Sequence, residues 1–323
     1  MKILVTGGAG FIGSFMTKKL LEKGMSVVVV DNLKRGHRSS VDSQAKFIEG
    51  DLLDKKFVNN LFQENTFDGV IHFAGLISMG ESMENPGMYF EGNVAPTINL
   101  LEAMREKKVN NFIFSSTAGV YGNPIQVPIP ESHQKNPTNP YGESKWIDER
   151  IMRWYDEIFG IKYTVLRYFN ASGAALDGSL GENHEPETHI IPLAIKSALG
   201  NTQFNLFGTD YETIDGTCVR DYIHVLDLVE AHILALNSLS NGGKSATYNV
   251  GTGKGYSNKQ IIEEVEKVSG KKIELVKSDR RPGDADTLIA DSTKIQTELG
   301  FTPIHSNLDT IVESAWKWHS RNE

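Results

Sequence analysis

The sequence predicts an α/β fold in which a parallel sheet comes first and a smaller lobe follows. Three observations point there. Apolar runs of strand length alternate with amphipathic helical patterns through the first half of the chain. The first run opens into a glycine loop, Gly7-Gly8-Ala9-Gly10-Phe11-Ile12-Gly13, that leads directly into a helical pattern. The second run, Val27-Val28-Val29-Val30, ends in a carboxylate, Asp31. Repeated βα units demand parallel strands with helices on both faces, the Rossmann-type doubly wound sheet. Ligands then gather beyond the carboxyl ends of the strands.

Taken in order, Lys2–Thr6 and Ser26–Asp31 read as the first two strands, residues 45–49 as the third and 69–73 as the fourth. The fifth is 111–115, leading to Ser115-Ser116-Thr117, and the sixth is Lys162–Tyr168. Helical patterns fill the intervals, from Phe11 through Leu21 and over 54–65, Pro86–Lys107 and Pro140–Phe159. The last carries an apolar stripe, Ile147, Ile151, Trp154 and Ile158, which suits packing on the sheet. From Asn170 the texture changes. Residues 171–189 are rich in Gly, Asp, Glu, His and Ser and read as a loop. Short strands at Phe204–Phe207, 218–222 and 248–250 follow, with helices at 225–238, 257–268, 291–299 and Leu308–His319. The expected division is residues 1–170 for the sheet domain, with 225–250 returning to it, and 171–323 for the C-terminal substrate-binding lobe.

The glycine loop explains itself by a bound pyrophosphate. Gly7 lets the chain turn out of the strand, Gly10 leaves room for phosphate against bare backbone, and Gly13 lets the helix sit close to the sheet. The helix N-terminus then presents free N–H groups at the positive end of its dipole. Asp31 suits both hydroxyls of an adenosine ribose and repels a 2′-phosphate, so NAD is expected rather than NADP. The strand-end rule also directs attention to Asp51, to Phe73-Ala74-Gly75 and to Ser115 and Thr117.

Composition excludes several classes. The 323 residues are 39% hydrophobic and 23% charged, with a net charge of −8 and no basic block, so neither nucleic acid nor an anionic membrane is an expected partner. No stretch approaches a membrane span and no leader pattern is evident, which makes the cytoplasm the expected location. Cys218 is the single cysteine, so an intrachain disulfide is impossible. The nine histidines suggest no metal site by their spacing.

Tyr141-Gly142-Glu143-Ser144-Lys145 follows Pro140, a good first residue for a helix. Tyr141 and Lys145 share one helical face. A tyrosine with a pKa of about 10 is a poor base at neutral pH. A neighbouring ammonium and the positive charge of an oxidised nicotinamide favour the phenolate and bring it toward neutrality. Thr117, at the end of the fifth strand, is the expected partner for a substrate hydroxyl shared with Tyr141.

These residues together resemble the extended short-chain dehydrogenase/reductase superfamily. Four further motifs, Phe73-Ala74-Gly75, Arg167-Tyr168-Phe169-Asn170, the run from Asp215 to Val225 and Arg280-Arg281-Pro282-Gly283-Asp284, resemble its UDP-glucose 4-epimerase family nearly end to end. The resemblance implies NAD held by Gly7, Gly10, Phe11, Ile12, Gly13, Asp31, Asn32, Asp51, Leu52, Phe73, Ala74, Gly75, Asn93, Ser115, Tyr141, Lys145 and Tyr168. It implies Tyr141, Lys145 and Thr117 as the catalytic set, and a UDP-sugar (UDP-glucose or UDP-galactose) held by Asn170, Arg220, Arg281 and Asp284, with His189, Ile190, Asn205 and Phe207 around the uracil. It further implies a homodimer through the Pro86–Lys107 and Pro140–Phe159 helices. A guanidinium suits a diphosphate because it is a permanent planar donor fork. Without the resemblance, Arg220 paired with Asp221 would be the simpler reading. Four positions matter against the family pattern. Ile77 stands where a lysine is frequent and His189 where an asparagine is frequent. Thr117 replaces a serine with its hydroxyl kept, and Leu288 favours glucose and galactose over N-acetylated sugars.

Rival readings remain at this point. Another nucleotide-sugar epimerase, acting on UDP-N-acetylglucosamine or UDP-glucuronate, would share these motifs. A 4,6-dehydratase would need an Asp-Glu pair after Thr117, where Ala118 and Gly119 stand. A non-catalytic NAD-binding sensor has no need of Tyr141 and Lys145 together.

Overall fold

The structure, a computed structural model, describes residues 1–322 apart from Asn201, Pro282 and Gly283. Two residues of the Arg280–Asp284 motif, Pro282 and Gly283, therefore lie outside the described residues. In chain order the elements are β1 (Lys2–Thr6), α1 (Phe11–Glu22), β2 (Ser26–Asp31), β3 (Lys46–Glu49), α2 (Lys55–Glu64), β4 (Gly69–His72), α3 (Met79–Glu84), α4 (Pro86–Lys107), β5 (Asn111–Thr117), α5 (Pro140–Phe159) and β6 (Lys162–Tyr168). Then come β7 (Asn170–Ser172), α6 (Ile190–Ala198), β8 (Phe204–Phe207), β9 (Val219–His224), α7 (Val225–Ser240), β10 (Ala246–Val250), β11 (Gly255–Ser257), α8 (Asn258–Ser269), β12 (Leu275–Ser278), β13 (Thr287–Leu288), α9 (Thr293–Leu299) and α10 (Leu308–His319).

The main sheet has seven strands in the order β10-β6-β5-β4-β1-β2-β3. β3, β2, β1, β4 and β5 all pair in parallel. The expected doubly wound α/β fold is thus present, with its order reversing at β1. Val27 to Val30 are all buried, as a central parallel strand covered on both faces requires. Helix starts are chemically marked. Asn139 caps α5 by accepting from Gly142 N at 2.8 Å, and Asp54 caps α2 by accepting from Lys56 N at 2.9 Å. One core forms between α2, α4, α5 and the sheet, through Leu4, Val70, Leu100, Phe112 and Met152.

The chain clusters into two compact units. The first holds residues 1–122, 134–167 and 229–248, and the second 123–133, 168–228 and 249–323. The 123–133 segment, which the sequence reading left in the sheet domain, clusters with the second unit. Within that unit β9 pairs with β11, β13 and β7, and β8 with β12. Its core joins α6, α8 and α10 through Ile191, Ile195, Ile261, Val265 and Ile311.

Three expectations need correction. The stripe on α5 is not wholly core: Trp154 is 52% and Ile158 64% exposed. The stretch 171–189 is not all loop, since its first two residues belong to β7. α6 begins directly after it, in residues to which the sequence reading assigned no element, with Pro192 in the first helical turn, where a missing N–H costs nothing. α3, β11, β12 and β13 went unread; they are short, and β13 is only two residues long.

Candidate active site

β1 delivers the chain into the glycine loop with Gly7 at a φ of +69°. A Cβ there would lie 2.5 Å from Ala74 N, and one at Gly13 would collide with Gly7 O. Only glycine fits either place. α1 has Gly10 at its N-cap with no side-chain cap and no acid in its first turn. Such a helix end keeps its N–H groups and dipole available to an anion. Asp31, at the end of β2, accepts from Ala9 N at 3.0 Å and Leu33 N at 2.9 Å. Burial pushes its carboxyl up from the ordinary value, against the bonds from Leu33 and Ala9. Asn32 Nδ2 donates to Asp51 Oδ2 at 3.2 Å, and Leu52 is buried beside them. These residues fit a dinucleotide by donor chemistry and by shape.

Asn93 braces the other half of the site. Its Oδ1 accepts from Leu76 N at 2.7 Å, and its Nδ2 donates to Leu76 O at 3.2 Å and to Ser144 Oγ at 2.9 Å. Ser144 in turn donates to Tyr141 O at 2.8 Å. Both amide hydrogens of Asn93 are committed to the protein, so it positions the loop after β4 and the first turn of α5. A Cβ at Gly75 would lie 3.2 Å from Lys145 Nζ, which places the ammonium against bare backbone.

Tyr141 hydrogen-bonds Thr117, whose Oγ1 also accepts from Gly119 N at 3.0 Å. Burial pushes the Tyr141 phenol up from 10, and the Thr117 bond only partly opposes it. The chain by itself therefore does not bring the phenol toward neutrality. The positive charge of a bound oxidised nicotinamide would favour the phenolate. Lys145 is 3% exposed, stacks over the Phe114 ring at 4.7 Å, and is pulled down by burial against the pull of Asp148 and Glu149. Asp148 is fully buried and its carboxyl is pushed up to about 8 by that burial, with Lys145 opposing. The sequence reading passed over Asp148; its place one turn after Lys145 was the available signal.

In the second unit, Arg281 Nε donates to Asp284 Oδ2 at 2.9 Å and Arg220 Nη2 lies 3.7 Å from Asp284 Oδ1. The Arg281 guanidinium lies over the Phe207 ring at 5.3 Å. Arg220 does not pair with Asp221. Adjacent strand residues point to opposite faces, and Asp221 is buried, accepting from Thr252 N at 2.9 Å and Ala290 N at 3.1 Å. Asn205 is exposed on β8, and Asn170 opens β7. His189, preceding α6, turns Nδ1 toward Glu182 Oε1 at 2.5 Å. Partial burial opposes its imidazolium, but Glu182 raises the group to about 10. Among the described residues Glu182, His184, Glu187 and His189 gather their ligand atoms within 4.8 Å of one another. The sequence reading missed this group because it weighed histidines without their glutamates.

A profile of the NAD dependent epimerase/dehydratase family matches residues 3–251, and the chain belongs to that family. A UDP-glucose 4-epimerase of Streptococcus mutans is 51% identical over 323 residues, covering 99% of this chain and 97% of that protein. Crystal structures of UDP-glucose 4-epimerases align over nearly the whole chain. The enzyme of Brucella ovis in complex with NAD has a TM-score of 0.95 at 44% identity, covering 98% of each chain. The enzyme of Bifidobacterium longum with NAD+ and UDP also scores 0.95, at 37% identity, covering 100% of this chain and 99% of that one. Among the described residues no helix is long and apolar enough to cross a membrane.

Proposed function

We infer that the chain interconverts UDP-glucose and UDP-galactose by epimerisation at C4, with NAD retained through the cycle. The observation that carries this reading is Tyr141 bonded to Thr117 and followed one turn later by buried Lys145, in a chain alike end to end to UDP-glucose 4-epimerases. When bound, NAD would supply the hydride acceptor for sugar C4 and the hydride donor for the return. Gly7, Gly10, Phe11, Ile12 and Gly13 would hold its pyrophosphate and Asp31 its adenosine ribose. Lys145 would hold the nicotinamide ribose and favour the phenolate. Tyr141 takes the 4-hydroxyl proton, directly or through Thr117, and gives it back in the second half-reaction. Arg220 and Arg281 hold the diphosphate and Asp284 the ribose diol, while Asn170, Asn205, Phe207, His189 and Ile190 surround the rest of the nucleotide. Ala118 and Gly119 lack the acid pair that dehydration requires.

Incubation of the purified protein with UDP-galactose and no added dinucleotide tests the reading. UDP-glucose should accumulate to equilibrium; unchanged UDP-galactose would overturn it.

The same reading gives a homodimer in the cytoplasm. Its support is apolar surface on two packed helices: Met88, Phe90 and Ile98 on α4, and Trp154, Ile158 and Phe159 on α5, are each at least 36% exposed. Apolar side chains grouped on two neighbouring helices fit an interface with a second copy. Light scattering should give twice the chain mass, and Trp154→Glu should halve it.

A further inference from the structure

We propose that Glu182, His184, Glu187 and His189 form a divalent-cation site of the zinc class at the entrance to α6. Four potential ligand atoms lie within 4.8 Å of one another in one eight-residue segment. Bound to a tetrahedral zinc at bonds of about 2.0–2.1 Å, such atoms stand roughly 3.3 Å apart, so small side-chain rotations close the set.

The groups converge and pair in part, but they leave one buried carboxylate oxygen, Glu187 Oε2, with no partner. Glu182 Oε1 lies 3.0 Å from His184 Nδ1 and 2.5 Å from His189 Nδ1. Yet Glu182 Oε1 and His189 Nδ1 are buried with no aligned hydrogen bond. Glu187 Oε1 accepts from Thr188 N at 2.7 Å and from His189 N at 2.9 Å, while its Oε2 is buried without a partner in a side chain only 2% exposed. A buried, unpaired carboxylate oxygen is costly unless a cation or donor meets it. Two carboxylates and two neutral imidazoles leave a divalent ion electrically balanced.

The surroundings suit a fixed centre. Trp318 Nε1 donates to Glu182 O at 2.8 Å, which ties the first ligand's backbone to the C-terminal end of the chain. His189 immediately precedes α6, so an ion would pin the 182–189 segment to that helix. Only Nδ1 of His189 is used, and its Nε2 stays available to the nucleotide.

Equilibrium dialysis of the full-length protein against zinc decides the matter, with cobalt(II) as the spectroscopic probe. One equivalent should bind, and cobalt should show the intense visible bands of a four-coordinate ion. Glu182→Gln and His184→Asn should each weaken zinc binding at least about 10-fold, the lower end of what loss of even an outer-shell partner costs. Circular dichroism identifies a variant that has lost its fold, and the wild-type cobalt spectrum stands independently of the variants. Binding below one equivalent, weak six-coordinate cobalt bands, or equal zinc affinity in wild type and folded variants would overturn the proposal.

Discussion

Glu149 and Arg167 form a two-pronged pair with both side chains only 4% exposed: Nη2 meets Oε2 at 2.5 Å and Nε meets Oε1 at 3.0 Å. Ser116 adds a donor to Oε1 at 2.6 Å and Tyr121 accepts from Nη1 at 2.9 Å. Every polar group in this knot has a partner, so removing one leaves the other charge buried alone. Glu149→Ala should destabilise the protein by about 3–5 kcal/mol in urea titration. Glu149→Leu combined with Arg167→Met should lose much less than the sum of the single changes. Additive losses would show that the pair does not act as a unit.

The pH profile of turnover reports Tyr141. The phenol must be ionised to take a proton, so activity falls as pH drops below its pKa in the complex. Lys145→Met removes the ammonium that favours the phenolate. The acid limb of kcat should move to higher pH, and activity near neutrality should fall at least tenfold. A limb left in place would remove Lys145 from this role.

Tyr141→Phe keeps the ring and removes the proton carrier. Turnover should drop about 10²–10⁴-fold, the range for a positioned acid–base group. Dinucleotide released by acid precipitation should match wild type. Loss of both together would mark Tyr141 as a binding residue.

His224 gives a second, separate pH dependence, in stability. Leu226 N donates to its Nδ1 at 3.1 Å, so Nε2 carries the proton toward Ser314 Oγ at 3.1 Å. The ring is neutral, and burial brings its pKa from 6.5 to about 4. The unfolded chain therefore takes up a proton first, and stability falls as pH drops from 6.5 to about 4. That fall amounts to about 3 kcal/mol when complete. Urea midpoints at neutral and acid pH should differ less in His224→Gln than in wild type; an equal difference counts against this assignment.

Gly13→Ala should cost cofactor retention, since the added methyl meets Gly7 O and Gly8 Cα. The dinucleotide recovered after gel filtration should fall sharply. Gly87→Ala, where a Cβ meets nothing within 4 Å, should retain it fully.

How much of this was legible depends on what each residue could signal locally. Four valines running into Asp31 fix β2 to the residue, because a strand covered on both faces has only one reading. Pro140 and Gly160 bracket α5 equally clearly. α6 gave no clear local signal, since a proline such as Pro192 marks either a break or a first turn and only the neighbours decide. The stripe through Trp154 and Ile158 states that one face of α5 is apolar; it does not state what covers it. In the site, Gly7, Gly13 and Asp31 follow from steric and charge rules alone. Arg220 with Asp284 required the family resemblance, because residues so far apart in sequence announce no contact. Asn93 is a further lesson: the resemblance names it for the cofactor, and only the folded chain shows its amide hydrogens bonded to Leu76 and Ser144.

The last strand of the seven-stranded sheet, β10, is made from residues well beyond the lobe that interrupts the first unit. While the ribosome is still producing the intervening stretch, β6 has a bare edge able to template pairing with another nascent chain. A fragment ending at Tyr168 would keep that edge permanently and should aggregate, so the coenzyme half of this molecule cannot be harvested by simple truncation.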